Sequence, residues 1–202
     1  MANINAPYGF RQYQGNGSAP TYEQVSVLIN YNATNIFFGD PVTQQSDGTV
    51  AQSASTGATP GALGIAGIFV GCQYLSVSQK RTVWSNFWGA SDVASGNNPE
   101  VYLVNDPNAR FLAQVGGSTS TGLAVADIGS NVQFNYGTPN TASGISGAYI
   151  DITVTPATTA TLPFKVTALV SDPPGANGTA SGAYNYAVVA INNVETKTLT
   201  GV

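Results

Sequence analysis

Charge is the scarcest thing in this chain. Lys, Arg, Asp and Glu together make up 8% of its 202 residues, where an ordinary soluble domain carries roughly a quarter. A cytosolic monomer keeps itself soluble with a mixed charged surface. A chain this poor in charge therefore has either a neutral Ser/Thr/Asn surface or much surface covered by neighbours. The charges sum to -4, and of the six Lys and Arg only Lys80 and Arg81 are adjacent. No basic stripe exists to neutralise phosphates, so nucleic acid is not an expected partner.

Histidine is absent and cysteine occurs once, at Cys72. Neither a Ser-His-Asp triad nor a Cys-His pair can be written from such a chain. An intrachain disulfide framework and the usual thiolate and imidazole zinc sites are excluded as well. Carboxylates remain, and Asp92, Glu100, Asp106 and Asp127 are free on paper to converge, yet none lies in a motif that fixes such geometry. The expectation is a protein without enzymatic activity and without a cofactor or metal. Long apolar runs are missing too: nothing approaches the ~20 residues of a spanning helix. Met1 to Phe10 has neither the basic nor the apolar region of a secretory signal, which points to a protein made in a cytoplasm, soluble, with no membrane partner.

Helical periodicity is rare, and 23 Gly and 11 Pro interrupt the chain. Only Ala124 to Ile128 suits a helical turn. What is present is a succession of short β-branched or aromatic runs between turn signals. They span Tyr22 to Ile29, Ile36 to Phe38, Leu63 to Tyr74, Val83 to Phe87, Val101 to Val104 and Phe111 to Val115. Others follow at Asn131 to Tyr136, Tyr149 to Val154, Phe164 to Val170 and Tyr184 to Ile191. Strict alternation, as in Val25, Val27 and Ile29 or Phe164, Val166 and Ala168, places one face on a core. The fold class is all-β: a single β-sandwich, jelly-roll-like, or β-barrel domain over residues 21–202, with an extended N-terminal arm over residues 1–20. Pro7, Gly9, Gly15, Gly17 and Pro20 disfavour helix in that arm, while Tyr8, Phe10 and Tyr13 supply aromatic anchors for packing on another chain. The stretches Gly116 to Gly122 and Ser171 to Gly182 read as loops.

Several local patterns admit two readings. Asn105, Asp106, Pro107 and Asn108 resemble a calcium or sugar loop, but Asn and Asp before Pro are also common turn chemistry, and the turn is preferred. Gly64, Gly67 and Gly71 have the wrong spacing for a phosphate cradle and read as glycines in a strand, marking a bulge or a close backbone neighbour. Cys72, in an apolar strand with no base nearby in sequence, reads as a buried inert thiol. Trp84, Phe87 and Trp88 cluster just after Lys80 and Arg81. They suit a core or barrel end, a protein interface, or a sugar platform.

The opening MANINAPYGFRQYQGNGS resembles the start of many short virion proteins of tailed bacteriophages. The likeness continues through IFFGDPV, LGIAGIFVGCQY, NFWGAS, VYLVNDPNARFLAQV, ADIGSNVQF, SGISGAYID, FKVTALVSDP and AVVAINN, in order along nearly the whole chain. The resemblance implies a podovirus-like virion structural protein of the capsid cement, or decoration, family. It would sit on the outer surface of the head, bridge neighbouring major capsid proteins, and form a homo-oligomer, a trimer before a dimer. The interface residues expected on that reading are Pro7, Tyr8, Phe10, Arg11, Tyr13, Trp84, Phe87 and Trp88. The rival reading is a head-fibre or tail component that binds host glycans through Trp84 and Trp88.

Overall fold

Alternating inward residues in the second half of the chain close a five-stranded barrel. The computed structural model describes residues 3–14, 24–54, 64–170, 182–192, 194 and 197. The strands are β1 (Arg11–Gln14), β2 (Val25–Leu28), β3 (Pro41–Gln44), β4 (Val50–Gln52), β5 (Gly67–Ser76), β6 (Arg81–Ser85), β7 (Glu100–Val104), β8 (Arg110–Gly116), β9 (Asn131–Tyr136), β10 (Ala148–Asp151), β11 (Phe164–Leu169) and β12 (Tyr186–Ile191). No α-helix occurs among the described residues; one 3-10 turn, Val125–Asp127, falls in the window expected for a helical turn. The barrel runs β8-β10-β9-β11-β12 and returns to β8. All its pairings are antiparallel except that of β10 with β8.

A barrel this small is filled by its own side chains. Every second residue points in: Phe111, Ala113 and Val115 from β8, Val132 and Phe134 from β9, Ala148 and Ile150 from β10, Phe164 and Val166 from β11, and Ala187, Val189 and Ile191 from β12. The second sheet has the order β2-β7-β5-β3-β4, with β6 paired to β5. One of its faces buries Phe69, Cys72, Val101 and Leu103 against Ile29, Ile36, Val42, Val50 and Trp88. From the other face Ile68 and Val104 join the barrel cluster. The molecule therefore has two buried clusters with the second sheet between them. A bulge where Phe69 and Gly71 shift register against β7 lies in the glycine-marked run, as the glycine spacing suggested.

The N-terminal segment is extended, but its described part lies on its own barrel rather than projecting from it. β1 pairs antiparallel with β8. The Ala6 amide donates to Gln114 Oε1 at 2.9 Å, and Gln114 Nε2 donates back to the Ile4 carbonyl at 2.7 Å. Phe10 is only 1% exposed. Its ring stacks on Phe164 (centroids 4.3 Å apart) and meets Phe134 edge-on at 6.2 Å. Gly9 N donates to Ala148 O and Phe10 N to Gly39 O, at 3.1 and 2.9 Å. Ser146 N donates to Phe38 O at 3.1 Å, so the segments around residues 9, 39 and 146 are stitched together where barrel and second sheet meet.

Phe10→Ala removes a ring from this junction and is expected to destabilise the isolated protein by about 3–5 kcal/mol. Tyr13→Ala, at a half-exposed ring of the same strand, should change stability by no more than about 0.5 kcal/mol. Urea denaturation of the two variants checks this. Equal, negligible effects would show that the segment serves another chain and not its own core.

Candidate functional site

Two concavities flank the junction. The first is a groove of about 500 Å³ lined by Thr34, Asn35, Phe37, Asp40, Gln52, Tyr136, Gly137, Pro139 and Gly147. Asp40 sits at its base, buried, because Gly39 and Pro41 carry the chain from the 36–38 segment into β3. Its carboxylate is fully used: Oδ2 accepts from Phe37 N at 2.9 Å and from Gln52 Nε2 at 2.8 Å, and Oδ1 accepts from the Ser146 hydroxyl. Burial raises the Asp40 pKa above the ordinary carboxylate value, although those three donors pull the other way. The Tyr136 hydroxyl shares its one proton between the carbonyls of Ser53 and Pro41, at 2.9 and 3.2 Å. Burial pushes the Tyr136 phenol well above its usual range, with nearby Asp40 adding to the shift. An acid whose donors all come from its own fold is a clamp between segments.

The second concavity is a cleft of about 430 Å³ between β1 and the second sheet. Phe10, Phe38, Ile68, Val70, Val104 and Phe111 make its walls, with Trp84, Tyr102, Arg11, Gln12 and Gln24 completing the lining. Trp84 is placed by pairing with Gln73 in β5. Its ring lies diagonally over Gly71, where a Cβ would come within 2.7 Å of Cζ2, so the missing side chain makes the bed for the indole. Trp84 remains 63% exposed. The Tyr102 hydroxyl donates to Gln73 Oε1 at 3.0 Å. Arg11 stacks its guanidinium over Phe38 at 4.5 Å and near Tyr8 at 5.6 Å, and donates from Nε to the Tyr8 carbonyl.

The residues expected at an interface divide accordingly. Phe10 and Trp88 are corrected to core residues: both are buried, and Trp88 donates from Nε1 to the Ala33 carbonyl while meeting Tyr74 edge-on. A residue with no surface contributes no contact in this conformation. Phe87 is half-buried and stacks on Phe37. Pro7 and Tyr8 are half-buried, Tyr8 stacking on Tyr186; burial first, then Tyr186, raises its pKa to about 12. Arg11, Tyr13 and Trp84 keep accessible surface, and Arg11 and Trp84 share the cleft. Among the described residues the four acids do not share a partner; each is held by its own neighbours. Asp92 accepts from Ser76 and Ser78, Glu100 from Ser26, Asp127 from the Ala124 amide, and Asp106 from the Asn108 amide in a turn. Among the described residues no group of three or more His, Cys, Asp or Glu is placed to hold a metal ion. Cys72 is buried, and burial pushes its thiol up to about 12.

Sequence reasoning passed over Asp40, Tyr136, Phe38 and Tyr102. Asp40 entered only as part of the IFFGDPV stretch, and nothing in that stretch marks the acid as buried. No family model matches the chain, and no curated protein or solved structure matches it either.

The raised Asp40 pKa sets the sign of a pH effect. The folded state holds that proton more tightly than the unfolded state does, so this group's contribution falls as pH rises from the ordinary carboxylate value through the raised folded value, and is level above it. Asp40→Asn keeps an acceptor for the Phe37 amide and removes the titration. Denaturation at a series of pH values should show a fall across that window in the wild type relative to the variant. Parallel curves would mean that ionisation of Asp40 does not contribute.

Proposed function

We propose that this chain is a non-enzymatic structural protein of a tailed-phage virion, a capsid cement protein that binds the outer surface of the head and bridges neighbouring major capsid proteins. The observation that carries the reading is an uncovered half of the second sheet. Register places Ser26, Leu28, Gln73, Leu75, Thr82, Trp84, Glu100 and Tyr102 on one face, continuing the face that buries Ile68 and Val104 against the barrel. Beyond the barrel nothing in the described chain covers it: Leu28 is 49%, Leu75 53% and Trp84 63% exposed. Glu100 is the single charge among those eight residues. Large apolar side chains grouped on a face of low charge mark an interaction surface.

The low overall charge and the likeness of the sequence motifs to phage virion proteins support the same reading. A protein that binds only the intact shell stabilises it by mass action and needs no chemistry to do so. A closed homo-oligomer, a trimer before a dimer, suits the threefold joints of an icosahedral shell.

The test uses heads depleted of this protein. Trp84→Ser combined with Leu75→Ser should leave the fold intact and weaken rebinding at least tenfold, the loss of about one hot-spot residue. Depleted heads should lose DNA at a lower temperature than complete ones. Depleted heads of unchanged robustness, together with reduced adsorption to host cells, would replace this reading with that of a glycan-binding head or tail component using the exposed Trp84.

A further inference from the structure

Arg11 is out of balance with its surroundings. It is half-buried in a cleft whose walls are mostly rings and branched aliphatic groups. Its contacts are the faces of Phe38 and Tyr8 and the Tyr8 carbonyl, and no carboxylate pairs with it among the described residues. Burial lowers its pKa, the sign of a cation that has lost part of its water. A guanidinium offers five N–H donors in a planar fork that matches a carboxylate, and among the described residues Nε alone is committed. A desolvated cation with no counter-ion among the described residues favours any anion that can reach it.

We propose that the cleft between β1 and the second sheet is a binding site for a carboxylate carried on an aromatic or branched apolar body. Arg11 takes the carboxylate, and Trp84, Tyr102 and Val70, which keep accessible surface in the cleft, take the body. The volume of about 430 Å³ lies within the range of small-ligand pockets, roughly 300–1,000 Å³. A monoanion is selected over a phosphate, since a second negative charge would enter apolar walls with no second cation among the described lining residues to meet it. The Trp84 ring is already fixed over Gly71, so binding orders little there. The carboxylate comes either from a free small acid or from an acidic side chain beside an apolar one in a peptide. The site is read from the cleft alone and does not rest on the capsid role.

The experiment titrates the isolated full chain with 3-phenylpropionate, with its amide, and with a blocked Phe-Asp-Phe peptide, following tryptophan fluorescence. Trp84 lines the cleft and Trp88 is buried, so Trp84→Phe supplies the blank. The expected result is a saturable change with the acid and at least tenfold weaker binding of the amide, a difference absent in Arg11→Gln. Arg11→Lys keeps the charge but loses the planar fork, and should bind the acid more weakly than wild type while still preferring it to the amide. Tighter binding of the peptide than of the small acid assigns the source to a protein segment, and the reverse order assigns it to a free acid. Equal binding of acid and amide by the wild type overturns the site, as does no saturation by either carboxylate or unchanged acid affinity in both Arg11 variants. Head binding plays no part in these measurements, so the failure of one reading leaves the other standing.

Discussion

Three stretches of backbone cross at Gly9, Gly39 and Ser146, closer than side chains would allow, and both halves of the molecule hang from that crossing. A Cβ on Gly9 would lie 2.8 Å from the Ser146 Cβ and 2.9 Å from the Gly39 carbonyl oxygen. A Cβ on Gly39 would meet the Phe10 amide nitrogen at 3.0 Å. Both glycines hold positive φ, +79° and +95°, which other residues adopt only at a cost. The contact is sealed by Asp40, whose three donors come from Phe37, Gln52 and Ser146. Losing any donor would leave a buried charge short of a partner, and that penalty exceeds the net worth of an ordinary hydrogen bond. The crossing is thus held by exclusion of side chains and by a carboxylate that has nowhere else to turn.

The position of the cleft follows from that crossing. With Gly9 pinned, Phe10 has one place to go, the gap beside Phe164 and Phe134, and β1 must leave along β8. Barrel and second sheet stay in contact through Ile68 and Val104. Beyond those residues the two diverge, and Arg11, Tyr102 and Trp84 line the opening. The uncovered sheet face begins at the same point. An apolar surface and a half-buried cation are consequences of one geometric event, and neither needs a dedicated loop.

Much of the architecture was legible from alternation. Where every second residue is apolar, as in Phe111, Ala113 and Val115 or Phe164 and Val166, the expected strands are present and their apolar faces line the barrel. Strands with other sources of stability escaped notice. β1 reads Arg-Gln-Tyr-Gln and has no apolar stripe, since Phe10 just before it carries the burial. β3 opens with Pro41, tolerated as the first residue of a strand, and β4 has only three residues. Conversely Ile36 to Phe38 is apolar throughout yet pairs only through isolated bridges to Trp88 and Ile145. The expected loop from Ser171 to Gly182 lies almost wholly outside the described residues. The two tryptophans show why site residues are harder to read than strands. Trp84 and Trp88 share a window and a composition, but one lies over a glycine of the adjacent strand and the other fills a core. That difference is set by cross-strand register, which no local pattern records.

The distribution of the few charges completes the physical picture. Asp47, Asp92, Asp106, Asp127 and Asp151 each accept hydrogen bonds from an amide or hydroxyl within about one turn of chain or across one hairpin. Hydrogen bonds from Thr49 hold Asp47 below its usual pKa, and those from Ser76 and Ser78 do the same for Asp92. Those hydrogen bonds fix the acids in their turns without cancelling their charge, but charges this few and scattered, summing to -4, give only a weak field to steer a partner. Contact then depends on fit and on apolar area removed from water, a term that salt does not screen as it screens surface charge. On such a surface a single half-buried guanidinium stands out, because no mixed background of charges competes with it for an incoming anion.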